Sequence, residues 1–246
     1  MKTLLQFAGA RLILGGGLLA VVGVAGCGDD PVTVDPVAEL RKTGTTDDQQ
    51  GVAGAVLPRS PEVTLIRASG AKAVGETVTF TVEGGGGTVD GAVAVTDIRG
   101  TARVREWTLG QIAGAANFLK ATAGGLEVTF TASVIAGPAA ILVAAGGSGQ
   151  TARVNTEVAI PPKVRVADQF GNAVLGETVQ WQVVGGGGLV IGSSSGPSDK
   201  FGVARVQGWQ LGPTPGQNIL EAAIPGFPTV QFSAAGCSVQ CPGTIP

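Results

Sequence analysis

The chain has 246 residues, a net charge of −2 and no histidine, which removes the commonest general base, the commonest metal ligand and the usual pH switch together. Its basic residues are scattered and it has no tyrosine, so it lacks the basic, aromatic-interleaved surface of a nucleic-acid binder. With 41 glycines, 44% hydrophobic and only 14% charged residues, it is too apolar for disorder and reads as short strands between tight turns.

The N-terminus is MKTLLQFAGARLILGGGLLAVVGVAGC. Lys2 and Arg11 form a positive start, and an apolar stretch runs from Leu12 to Gly26. Those 15 residues, at 1.5 Å each, would span about 22 Å, short of the roughly 30 Å hydrocarbon core. Residues 1–26 therefore read as a secretory signal rather than a permanent span. The run Val24, Ala25, Gly26, Cys27 resembles the bacterial lipobox; a signal with an incidental cysteine is the alternative. The resemblance implies that Cys27 carries acyl chains that hold the protein to a membrane. It also implies an outer-membrane address, because Gly28 rather than aspartate follows Cys27, although Asp29 and Asp30 come next. The run GDDPVTVDPV after Cys27, with two prolines and three aspartates, makes residues 27–35 read as a short, stiff tether.

From there the sequence repeats. GETVTFTVEGGGG at 75–87 returns as GETVQWQVVGGGG at 176–188. An offset of 101 or 102 residues also aligns Gln49 with Gln150, Pro61 with Pro162, Asp97 with Asp199, Ala102–Val104 with Ala204–Val206, Trp107 with Trp209, and Phe130 with Phe232. Two units follow, 36–137 and 138–236, with a tail at 237–246. Within each unit the pattern alternates. Val78, Phe80 and Val82 oppose Thr77, Thr79 and Thr81, and Val179, Trp181 and Val183 oppose Thr178, Gln180 and Gln182. One face is buried and one wet, as in antiparallel sandwich sheets. Ala102 and Val104 point inward by that alternation, yet Trp107 is out of step. A β-bulge near Glu106 would return the indole to the core, the alternative being an exposed Trp.

These segments resemble the bacterial immunoglobulin-like domain, group 1, of invasin- and intimin-type surface proteins. In the first unit the match lies in GETVTFTV with its glycine run, TDIRG, ARVREWTLG and ATAGGLEVTFTA. In the second it lies in AGPAAILVAAGGSGQ, VRVADQFGNAV and SDKFGVARVQGWQLG. The first unit departs at RASGAKAV, where an Asp-aromatic-Gly-Asn turn is expected. The resemblance covers about 36–236. It implies an all-β protein of two tandem Ig-like antiparallel β-sandwiches in an extracytoplasmic stalk or adhesin, and no catalytic residues.

Chemical motifs fail one by one. The glycine runs precede Thr88-Val89 and Leu189-Val190, strand formers, with no lysine placed for a phosphate loop. In SSSGPSDK the position three before Lys200 is Pro197, so a Ser/Lys nucleophile is excluded. TDIRG and SDKFG supply one aspartate per turn, too few oxygens for calcium and enough for a turn that caps its own backbone. No metal or other cofactor is expected. Cys237 and Cys241 read as a small disulfide loop in an oxidising compartment, with pairing to another chain as the alternative.

Interaction surfaces remain. Phe170, Phe201 and Phe227 fall at one pole of the second unit, where the first has Ser69, Arg99 and about Gly125. That pole faces the first unit if chain ends leave at opposite poles, which predicts an interdomain contact against Gly84–Gly87 and Leu109–Ile112; a ligand site is the second reading. The far pole carries Leu189, Leu211, Pro213, Thr214, Pro215 and Gln217 as candidate partner-binding residues. The function expected is non-enzymatic adhesion or surface presentation by a lipid-anchored envelope protein, or a structural spacer. The partner beyond the membrane and the oligomeric state stay open.

Overall fold

The computed structural model describes residues 34–238. The first half is built from β1 (Val37–Lys42), β2 (Gln49–Val52), β3 (Glu62–Arg67), β4 (Thr77–Gly84), β5 (Thr88–Asp90), β6 (Val93–Val95), β7 (Thr101–Arg103), β8 (Glu106–Thr108), β9 (Ala116–Ala123) and β10 (Leu126–Ile135). The second half follows the same order with β11 (Ile141–Gly146), β12 (Gln150–Arg153), β13 (Lys163–Ala167), β14 (Thr178–Gly185), β15 (Leu189–Ile191), β16 (Ser195–Pro197), β17 (Val203–Arg205), β18 (Gly208–Gln210), β19 (Gly216–Ala223) and β20 (Val230–Cys237). Each half is a sandwich with a five-stranded sheet, β2-β10-β9-β4-β6 or β12-β20-β19-β14-β16. A three-stranded sheet, β1-β3-β7 or β11-β13-β17, faces it, and a two-stranded ribbon, β5-β8 or β15-β18, completes the half.

Period-two alternation carries the sandwiches. Val78 and Phe80 are buried while Thr77 and Thr79 are exposed, and Val179 and Trp181 repeat this beside Thr178 and Gln180. The two halves have separate cores. Phe80, Trp107, Leu119 and Phe130 anchor the first, and Trp181, Trp209, Leu220 and Phe232 the second. Trp181 and Phe232 meet with ring centroids 5.9 Å apart, tilted by 43°. Burying each such side chain contributes roughly 1.5–3 kcal/mol.

The structure corrects the sequence reading in two places. Trp107 and Trp209 are fully buried, but a break rather than a bulge puts them there. β7 ends at Arg103, buried Val104 and exposed Arg105 turn the chain, and β8 pairs with β5 in a different sheet. β17 and β18 do the same around Val206 and Gln207. The sheets are also not wholly antiparallel. β1 runs antiparallel to β3, whereas β2 lies parallel to β10, and β12 lies parallel to β20. The first strand crosses from one sheet to the other without reversing direction, so it meets the last strand in parallel. A glutamine secures each crossing. Gln49 accepts from Arg59 N and donates to the carbonyls of Thr46 and Arg59; Gln150 accepts from Ile160 N and donates to those of Gly147 and Ile160.

The glycine runs serve backbone packing. A Cβ on Gly110 would lie 1.6 Å from the carbonyl oxygen of Gly85, and one on Gly212 would lie 1.7 Å from that of Gly186. Two loops thus meet backbone to backbone in each sandwich, and Gly85 and Gly186 take the left-handed conformation, φ 84° and 83°, that glycine allows. Beneath them sit Asn117 and Asn218, both fully buried, each accepting a hydrogen bond from the amide of Gly110 or Gly212 at 2.8 and 2.9 Å.

Candidate functional site

The strongest polar constellation lies where the two sandwiches meet. β13 ends at Ala167 and the chain turns through Asp168-Gln169-Phe170-Gly171-Asn172. Asp168 Oδ1 accepts from the amides of Phe170 and Asn172, both at 2.9 Å, which builds the turn. Its Oδ2 accepts from Asn172 Nδ2 at 2.8 Å and from Gly137 N, in the connection between β10 and β11, at 2.9 Å. Asn172 then reaches the first sandwich, donating to the Gln111 carbonyl at 2.8 Å and accepting from Ala113 N at 2.9 Å. Asp168 is fully buried, and burial alone would raise its pKa. The hydrogen bonds from Asn172, Gly137 and Phe170 outweigh burial and hold the carboxyl below its ordinary value. The carboxylate is therefore ionised at neutral pH, and its negative charge is stabilised by oriented N–H groups instead of a cation.

Phe170 completes the contact. A Cβ on Gly54 would fall 2.7 Å from its Cζ, so the ring closely approaches a stretch of the first sandwich that glycine leaves bare. Beside this seam an open groove of about 810 Å³ runs between Val52, Ile135, Val174, Leu175 and Lys200. The corresponding turn of the first sandwich faces its own N-terminal segment: Arg67 donates to the Asp35 carbonyl, and Ser69 donates to the Asp35 carboxylate through N at 3.1 Å and Oγ at 2.6 Å.

The five residues expected at an interdomain contact are not brought together. Phe170 meets the first sandwich, against Gly54 rather than the Gly84–Gly87 run. Phe227 packs on the second core instead, Phe201 stays 64% exposed beneath Lys200, and Ile112 is 67% exposed. Leu109 fills the first core. The junction is chiefly polar, and Asp168 and Asn172, quoted in the sequence only as part of a turn, supply it. Their distinguishing sign was the replacement of Arg67 and Ala71 by an acid and an amide at the same repeat positions.

At the far pole Leu211 is fully buried, so it belongs to the core and not to a partner surface; it opens the exposed loop Pro213–Gln217 and in the sequence reads as part of it. Pro213, Thr214, Pro215 and Gln217 are exposed and Leu189 is 48% exposed. Asp97 and Asp199 cap their own turns, accepting from Arg99 N and Thr101 N, and from Phe201 N and Val203 N, so these oxygens are already engaged. Among the described residues no three His, Cys, Asp or Glu side chains gather as a metal site. Nor is any helix there long and apolar enough to cross a membrane. Cys237 is disulfide-bonded, its Sγ lying 3.4 Å from the Ala152 carbonyl; Cys241 and Cys27 lie outside the described residues.

No protein-family model matches the sequence, and no curated protein matches it. Over most of its length the chain is similar to solved Ig-like domains of adhesins. The D0–D1 domains of intimin are 19% identical, with a TM-score of 0.30, over 80% of this chain and 95% of that one. The Escherichia coli adhesin FdeC is 21% identical, with a TM-score of 0.44, over 82% of this chain and 65% of that one. InvD of Yersinia pseudotuberculosis is 15% identical, with a TM-score of 0.48, over 80% of this chain and 58% of that one. At these identities the likeness is one of fold.

Proposed function

We propose that this protein is a lipid-anchored, non-enzymatic component of the bacterial cell envelope. Cys27 holds it to a membrane, the outer membrane by the residues that follow, and its two sandwiches present a surface away from that membrane for adhesion or display. The observation that carries this reading is the junction. The Asp168–Asn172 turn ties the second sandwich to both the connecting segment and a loop of the first, which suits a stiff projecting element better than two beads on a string. The chain also enters the first sandwich near Ser69 and leaves the second near Gly216, at opposite ends of the tandem. In cells expressing Cys27→Ser the protein is expected to leave the membrane fraction, while wild type stays with it and is cut by protease added to intact cells. Retention of Cys27→Ser on the membrane overturns the anchor; protection of the wild type on intact cells overturns surface display.

A spacer within an envelope complex is the second reading. The far pole favours it, because Gly185–Gly188 and Gly212 dominate there and Leu189 is its large exposed apolar residue. Cell adhesion that survives exchange of the Pro213–Pro215 loop for glycine and serine decides for the spacer.

A further inference from the structure

The two sandwiches give matched positions on matched strands, so each serves as a control for the other. On the outer face of the three-stranded sheet the first sandwich sets opposite charges side by side. Glu62 stands opposite Arg103, and Glu39 is paired with Arg41 on the edge strand β1. The same positions in the second sandwich hold Lys163 opposite Arg205, with Ile141 and Val143 replacing Glu39 and Arg41 on edge strand β11. Arg165, opposite Val143, adds a third cation where the first sandwich has Thr64.

The like-charge pair runs against the stability of an isolated sheet, while Arg165 donates to the Gly171 carbonyl at 2.8 Å and has no acid beside it among the described residues. Like charges directly opposite one another are unfavourable, and none of Lys163, Arg165 and Arg205 forms an ion pair among the described residues. Edge strands are normally guarded by charge, yet on β11 Ile141 is 37% and Val143 47% exposed. The free side of β11 offers unpaired amides and carbonyls along that apolar row.

We propose that this face of the second sandwich binds an acidic, extended polypeptide segment of a partner protein. The segment adds as a strand beside β11, sets apolar side chains against Ile141 and Val143, and places carboxylates over Lys163, Arg165 and Arg205. Charge complementarity selects the acid, and the free strand edge selects a polypeptide over an anionic glycan, which has no backbone ladder to offer. Once the partner is seated, a carboxylate stands beside the like-charge pair Lys163–Arg205, as Glu62 stands opposite Arg103 in the first sandwich. This surface goes beyond the envelope reading and does not depend on the anchor.

The test uses the purified full chain, a short synthetic peptide of alternating aspartate and valine, a lysine–valine peptide of the same length, and heparin as a charge-only probe. The acidic peptide is expected to bind saturably and to raise hydrogen-exchange protection of Ile141–Gly146, while the lysine–valine peptide does neither. Lys163→Glu, which copies the working arrangement of the first sandwich, is expected to weaken binding at least about tenfold without lowering the melting temperature. Ile141→Glu with Val143→Arg is expected to abolish the protection. Absence of saturable binding overturns the proposal, as does equal binding by Lys163→Glu. Tight heparin binding combined with unchanged protection of β11 overturns it as well, since the face is then a general polyanion patch. Because the assay uses purified protein, its failure leaves the membrane-anchor reading intact, and failure of the anchor leaves this result intact.

Discussion

Asn117 and Asn218 show how much one buried polar residue organises here. Each lies in a strand whose neighbours alternate between core and solvent, and each satisfies the amide of a glycine whose backbone touches another loop. Adding a methyl group at Gly212 has nowhere to go but the Gly186 carbonyl. Gly212→Ala is therefore expected to destabilise the second sandwich by about 1–3 kcal/mol or more, read by denaturant unfolding. Gly196→Ala, with open space around its Cβ position, is the control and stays near wild type. The tryptophans separate volume from polarity. The indole N–H groups of Trp107 and Trp209 are buried without a protein acceptor among the described residues. Trp209→Ala is expected to cost about 3–5 kcal/mol. Trp209→Phe should cost clearly less, because it keeps much of the volume and removes an unpaired donor. Equal losses for the two substitutions would contradict that reasoning. The repeated glycine runs were plain in the sequence, but their purpose was not. Each run meets a loop more than twenty residues downstream, and no local pattern reports a contact at that separation.

At the level of elements, strands were legible wherever one face is buried and the other wet. β4, β9, β10 and their counterparts β14, β19 and β20 carry that alternation over eight residues or more. The three-residue strands were harder to read. β7 and β8 form one apparent run whose phase slips at Trp107, and the slip marks a change of sheet that a bulge would mimic in sequence. The division of the first strand was likewise hidden, because parallel pairing of β2 with β10 is set by a partner some eighty residues away. Gln49 and Gln150 were visible as a matched pair without a role. Their side chains close the crossing loops with three hydrogen bonds apiece. At a net 0.5–1.5 kcal/mol per bond, Gln150→Ala is expected to cost about 1–3 kcal/mol, partly recovered by water at this exposed site. Amide exchange in β12 should quicken first, ahead of β13 and β14. Uniform acceleration across the sandwich would show that the glutamine does not hold the crossing in particular.

For the whole molecule the decisive feature is that the join between sandwiches is made by a buried carboxylate and an amide, with one phenylalanine laid against glycine. Three phenylalanines gathered at one pole suggested a greasy joint from sequence alone. The structure spends Phe227 on the second core and leaves Phe201 in water, so the aromatic count did not report the contact. This makes the stiffness of the tandem sensitive to polarity and acid. Asn172→Ala removes the bonds to Gln111 and Ala113 and should broaden the interdomain distance distribution in solution scattering, while each sandwich unfolds near its wild-type midpoint. Phe170→Ala should act in the same direction, whereas Phe227→Ala should destabilise the second sandwich and leave the distance distribution unchanged. The pH dependence follows from the depressed pKa of Asp168. A carboxyl held below its unfolded value stabilises the folded form fully above that value, about 3.9, and loses this contribution as pH falls through the lower folded value. The join should therefore be constant from neutral pH to about pH 5 and loosen only below about pH 4. Asp168→Asn, which keeps an acceptor but loses the charge, should flatten that acid response and be looser than wild type at neutral pH. Scattering curves that superimpose for wild type, Asn172→Ala and Asp168→Asn at neutral pH would mean that packing elsewhere along the seam fixes the angle, and that the turn only decorates it.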